Sequence, residues 1–205
     1  MEVTHAAPAA SMGRRRLLGA GLGLGAATSL LPMMTGTAAA TAATTPPKAP
    51  TADDIDLLAA AQRLELSLRD VYDDAIANVA GWSDTQATVM VAIREAHEEF
   101  ANALSATLGR KAPNSRSEIA YATLHLDTDV DPATAAAALA AVESAAVATH
   151  QQVLGGLTGT DAAALTAAII TAEARHCTVL ADLAGITDPS LRLVDAESDP
   201  VDATE

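Results

Sequence analysis

Glu65 is followed seven residues later by Tyr72 and then by His97, and the same order returns 78 or 79 residues on as Glu143, His150 and His176. Each of these residues interrupts an otherwise apolar stripe at helical spacing. The first stripe reads Leu58, Ala61, Glu65, Leu68, Tyr72, Ala75, Val79, and the second Met90, Ile93, His97, Phe100 or Ala101, Leu104, Leu108. The third reads Ala136, Leu139, Glu143, Ala146, His150, Val153, and the fourth Ile169, Glu173, His176, Val179 or Leu180, Leu183. Apolar residues recurring three and four apart mark one face of an amphipathic helix. The interruption lies near the middle of each stripe, so four such helices packed side by side bring their polar groups to one level. A carboxylate there costs several kcal/mol if it is left unpaired. The pattern therefore demands compensating charge, and a metal ion is its commonest source inside a helical bundle.

Composition points the same way. Half of the 205 residues are hydrophobic but only 2% are aromatic, and alanine dominates. Alanine is the best helix former, and small side chains let helices approach closely, so the expected class is all-α. A formal net charge of −14 argues against nucleic acid or anionic lipid as a partner, both being polyanions. The single cysteine, Cys177, excludes an internal disulfide.

The N-terminus reads as an export signal. Arg14, Arg15 and Arg16 precede an apolar run from Leu17 to about Pro32, and small residues follow at Thr37 to Ala40. Charged segment, apolar segment and small-residue cleavage site make a secretory signal over residues 1–40, and the consecutive arginines resemble a twin-arginine type. The run is shorter than the ~20 residues a spanning helix needs. The expected product is exported to the cell envelope, its periplasm-equivalent space or the medium, with no stable membrane span after cleavage.

Residues 41–50, with three prolines, read as a linker. Thr51 with Asp54 and Ser83 with Gln86 are capping-box signatures. They open helices that run to about Val79 and to Leu108. Asp131-Pro132 opens a third helix closed by Gly155-Gly156, and Thr160-Asp161 opens a fourth that ends at Gly185. Residues 110–130 form the one long connection, a loop with a short helical turn. Two antiparallel hairpins joined by a long crossover predict a four-helix bundle over residues 51–185. The acidic, proline-bearing residues 186–205 read as a disordered tail.

These residues resemble the ferritin-like superfamily, whose di-iron site takes one Glu from each of two helices and a Glu-x-x-His from each of the other two. On that resemblance Glu65 and Glu143 are the single glutamates, Glu173 and His176 the complete Glu-x-x-His, and His97 the histidine of the other motif. The match covers about residues 53–184 and is similar to the exported, alanine-rich ferritin-like proteins of actinobacteria. It implies a ferritin-like four-helix bundle, with iron or another divalent metal held by Glu65, His97, Glu143, Glu173 and His176. Oxidative or peroxide-related chemistry is implied as well.

One position departs from the pattern. Arg94 stands three residues before His97, where the second bridging acid belongs. Two readings follow. Three carboxylates and one guanidinium leave an inner charge that one divalent ion balances. Alternatively, Arg94 pairs with Glu65 or Glu143 and no metal is bound, which leaves a non-catalytic cell-envelope bundle with a degenerate site. Glu98 is expected to pair with Arg94 at the i, i+4 distance, and Glu95, Glu98 and Glu99 to form a solvated face. Tyr72 and His150 are expected as hydrogen-bond partners of the ligands, with a plain core role open for Tyr72. Cys177 reads as a packed thiol, and His5 and His125 as incidental. A monomer or homodimer is expected.

Overall fold

The computed structural model describes residues 48–204; the expected signal (1–40) and most of the linker (41–50) lie outside the described residues. Five α-helices follow in order: α1 Ala52–Asn78, α2 Asp84–Leu108, α3 Glu118–Leu124, α4 Pro132–Gly156 and α5 Thr160–Leu183. Among the described residues there is no strand. α1 packs against α2 and α4 against α5. The two hairpins meet chiefly through α1 against α4, and α2 touches α5 only sparsely. This is an all-α bundle of two paired helical hairpins joined by a crossover, as the sequence predicts.

Each start has a local cause. The Thr51 side chain accepts from the Asp54 amide while Asp54 reaches back to the Thr51 amide, and Ser83 and Gln86 do the same for α2. Asp131 accepts from the amides of Ala133 and Thr134, with Pro132 in the first turn of α4. α5 has no side-chain cap of its own at Gly159. The two amides just ahead of it are held by α1: Asp54 accepts from Thr158 N at 2.8 Å and from Gly159 N at 2.9 Å. Those donors, with the hydroxyls of Thr51 and Thr158, hold the Asp54 pKa down at about 2 against the opposing effect of burial. Gly159 permits this close approach, since a Cβ there would stand 2.7 Å from Asp54 Oδ2.

The apolar interior forms two clusters. One gathers Leu64, Leu68, Val71, Met90, Leu139 and Leu180, the other Leu58, Leu104, Leu108, Val153 and Ile169. Along α2 and α5 the polar residues fall between the two clusters, while Tyr72 on α1 belongs to the larger one. The crossover is tied to α1: Gln62 donates to Asn114 Oδ1 at 2.9 Å, and Ser67 Oγ accepts from Ser117 N at 3.1 Å. Its apolar patch, expected as a loop with a turn, forms α3 and buries Ala120, Leu124 and Leu126.

Residues 186–204 correct the expectation of disorder. The segment runs back beside α4, with Asp195 N donating to Ser144 Oγ at 3.1 Å and Val201 N to Thr149 Oγ1 at 2.8 Å. Ala203 is buried and Val201 packs on the larger cluster. The physical reason lies in α4, an alanine-rich helix that is buried on more than one side from Val142 to His150. A helix of that kind needs cover on more than one side. The tail supplies it through backbone amides and small side chains, which its acidic composition conceals.

Candidate metal centre

The four long helices deliver their polar residues to one place. α1 supplies Glu65 and Tyr72, α2 His97, α4 Glu143 and His150, and α5 Glu173 and His176. All are fully buried except His176, whose side chain is 15% exposed.

Imidazoles and carboxylates alternate through the group. His176 Nδ1 lies 3.3 Å from Glu143 Oε2. Glu143 Oε1 accepts the Tyr72 hydroxyl at 2.6 Å and lies 3.0 Å from His97 Nε2. His97 Nδ1 is 2.8 Å from Glu65 Oε2. Glu65 Oε1 is 3.3 Å from His150 Nε2, and His150 Nδ1 is 3.1 Å from Glu173 Oε1. Glu143 is the hub, touched by Tyr72, His97 and His176, whereas Glu173 touches His150 alone.

This order sets the proton affinities. Burial pushes the His97 pKa down, but Glu143 and Glu65 outweigh it and hold it well above the usual value. His150 is raised to about 9, because Glu173 and then Glu65 overcome burial and the repulsion of His97. Burial raises Glu143, yet His97 and His176 reverse the sign and hold it below the usual carboxylate range. Glu173 stays raised, since burial and the neighbouring Glu65 and Glu143 prevail over His150. Tyr72 is pushed well up, by burial first and then by Glu143.

The donor set fits a divalent transition metal. His97, Glu143 and His176 offer ligand atoms within 4.8 Å of one another, and so do Glu65, His97 and Glu173. Donors on opposite sides of one ion with bonds of about 2.1 Å stand roughly 4.2 Å apart, so small side-chain adjustments close either group. Three buried atoms among the described residues make no hydrogen bond: Glu65 Oε1, Glu173 Oε1 and His150 Nε2. Buried polar atoms of this kind are normally satisfied, and their convergence is what a cation would relieve.

The five residues singled out in the sequence, Glu65, His97, Glu143, Glu173 and His176, are thus brought together. Tyr72 hydrogen-bonds Glu143, and His150 stands within the group, between Glu65 and Glu173. Arg94 does not belong to it. Its guanidinium turns outward, 2.9 Å from Asp73 on α1 and hydrogen-bonded to Glu98, with its side chain 24% exposed. The expectation that Arg94 adds a charge to the centre, or pairs with Glu65 or Glu143, is corrected. Its long stem carries the charged head to solvent and to surface acids. The central position of His150 had one sequence signal, its recurrence at the place of Tyr72 in the repeat. Cys177 is a packed thiol, 3.6 Å from Ser144 Oγ, with burial pushing its pKa up to about 12. His125 follows α3 and lies 3.9 Å from Asp74, away from the centre.

A helical bundle with a buried Glu/His layer drawn from two paired hairpins defines the class. The match to a known family agrees over residues 53–185, and the chain belongs to the ferritin-like domain family. No curated protein and no solved structure is significantly similar to it.

Proposed function

We propose that this is an exported ferritin-like protein whose bundle core binds iron or a similar divalent metal. The observation that carries the reading is the convergence of three buried carboxylates and three imidazoles, with three of their atoms lacking a hydrogen bond. Glu65, His97, Glu143, Glu173 and His176 would hold the ion. Bound iron would supply oxidative or peroxide-related chemistry. The chain's own contribution is to exclude water with the apolar clusters on either side and to fix the Glu143 carboxylate through Tyr72. Access is at His176, whose ring is the one part of the centre that meets solvent.

Export by the twin-arginine route suits a protein that loads its metal before crossing the membrane. Replacing Arg15 and Arg16 by lysine should leave the unprocessed precursor inside the cell; unaltered export would refute that route. α4 is long and apolar enough to cross a membrane by length and composition, but half of its most apolar window is buried in the bundle, and we assign it to the core. The acidic surface suits neither nucleic acid nor anionic lipid, and we take the protein as a monomer or homodimer.

One observation favours a second reading, a non-catalytic cell-envelope bundle with a degenerate centre: His97 and His150 each already lie between two carboxylates. Metal analysis of protein purified from its native export route separates the two. Stoichiometric iron or manganese that disappears in Glu173→Ala is the expected result. A metal-free protein whose melting temperature ignores added Fe(II) would overturn the metal reading and leave the second.

A further inference from the structure

We propose that His150 is itself a metal ligand through Nε2, supplying the donor that an acid at position 94 would have supplied. The inference rests on the metal-binding reading above and deepens it.

The internal repeat carries the first part of the argument. Positions 72 and 150 are equivalent, each seven residues after its half's glutamate, and each side chain reaches across the bundle to the glutamate of the other half. Tyr72 reaches Glu143 Oε1 at 2.6 Å and donates a short hydrogen bond. His150 Nε2 comes within 3.3 Å of Glu65 Oε1, yet both atoms are buried and neither makes a hydrogen bond. Two atoms that approach so closely without sharing a proton are placed as two donors on a third body. Donors bound at about 2.1 Å and separated by roughly 90–110° at one ion stand about 3.0–3.4 Å apart. The observed separation falls within that span.

The other ring nitrogen supports the assignment. His150 Nδ1 lies 3.1 Å and 3.2 Å from the two oxygens of Glu173. A ligating histidine commonly donates its second N–H to a carboxylate, which fixes the ring and turns the free lone pair to the metal. His97 has the same arrangement, with Nδ1 on Glu65 Oε2 at 2.8 Å and Nε2 facing Glu143. Two imidazoles are therefore oriented alike, one from each hairpin. Meanwhile Arg94 leaves the α2 side of Glu65 without its acid and is held at the surface by Asp73 and Glu98.

The resulting centre is unequal. His97, Glu143 and His176 form a donor group that reaches solvent at His176. Glu65 Oε1 and His150 Nε2 form a closed pair, with Glu173 holding the other ring nitrogen of His150. A third imidazole in place of a carboxylate shifts preference toward Fe, Co, Ni, Cu or Zn and away from Mg and Ca.

The test loads metal-free full-length protein with Co(II) and counts the hyperfine-shifted imidazole N–H signals by proton NMR in water. Three are expected in the wild type, two in His150→Gln, and three in His125→Gln, which controls for surface binding. Loss of a partner of a ligand could itself weaken affinity by about 10–100-fold, so the signal count decides where a Kd would not. Melting of the metal-free His150→Gln protein checks that it is folded; should it fail to fold, selective 15N labelling of histidine in the wild type assigns the third signal directly. A folded His150→Gln protein that binds Co(II) with all its shifted signals intact overturns this inference alone. A wild type that takes up no Co(II) overturns the metal reading together with it.

Discussion

The first hairpin and the second carry the same register and differ in what they put into it. In α1 and α2 the positions are Glu65, Tyr72, Arg94 and His97; in α4 and α5 they are Glu143, His150, Glu173 and His176. Positions 65 and 143 are both buried carboxylates, and 97 and 176 are both histidines of the centre. Positions 72 and 150 both cross the bundle. Positions 94 and 173 part company: Glu173 is fully buried, while Arg94 turns to the surface acids Asp73 and Glu98. The duplicated scaffold sets the level at which side chains meet. The chemistry of each side chain then decides whether it stays there.

The largest test of this contrast is to remove the hub. Glu143→Gln leaves His97 short of a buried carboxylate and weakens the partner of Tyr72, so the metal-free protein should lose about 3–5 kcal/mol. Glu173→Gln, which strands only His150, should lose less. Urea unfolding of both variants checks the order, and equal losses would mean that the two halves contribute alike.

Next comes pH. In the metal-free protein the raised His150 contributes stability that is fully present below its ordinary value near 6.5 and is lost as pH rises through about 9. His97 is raised as well and acts with the same sign. The urea midpoint should therefore fall between pH 6.5 and 9. The slope should be shallower in His150→Gln, and an unchanged slope would remove His150 from the account. Metal uptake runs the other way, because ligands must shed protons to bind.

A smaller effect tests how the hairpins join. Gly159→Ala would press a Cβ against an Asp54 carboxylate tied by several hydrogen bonds, whereas Gly156→Ala meets only the flexible end of Leu57, at 2.9 Å. Thermal melts should show a clear drop for the first and little change for the second. The smallest effect belongs to Arg94→Gln, a partly exposed pair whose loss should shift stability by less than about 1 kcal/mol. A large loss there would return Arg94 to the centre.

Much of this was legible in the chain. Thr51, Ser83 and Asp131 mark their helix starts because capping is a local contact, and the structure begins α1, α2 and α4 beside them. The level of the Glu/His layer follows from helical periodicity. The pairing of Arg94 with Glu98 follows from i, i+4 spacing. Periodicity locates a Cα on a face, however, and says little about where a long guanidinium ends, so it does not show that Arg94 reaches the surface acids Asp73 and Glu98. The position of His150 between Glu65 and Glu173 depends on how far apart helices from different hairpins lie. The order of residues 186–204 depends on backbone amides meeting Ser144 and Thr149, contacts that leave no trace in charge or proline content.

The Asp54 carboxylate couples the two halves in time as well as in space. The second hairpin has no side-chain cap at the start of α5, and the two amides that lead into it are held by Asp54 in the first turn of α1, more than a hundred positions earlier in the chain. A hairpin that looks self-sufficient when read as half of a duplication therefore keeps a loose lead-in to α5 until it docks on α1. Its final shape must be acquired jointly with the first hairpin, and a fragment containing α4 and α5 alone should show α5 weakened at its N-terminal turn by circular dichroism and amide exchange.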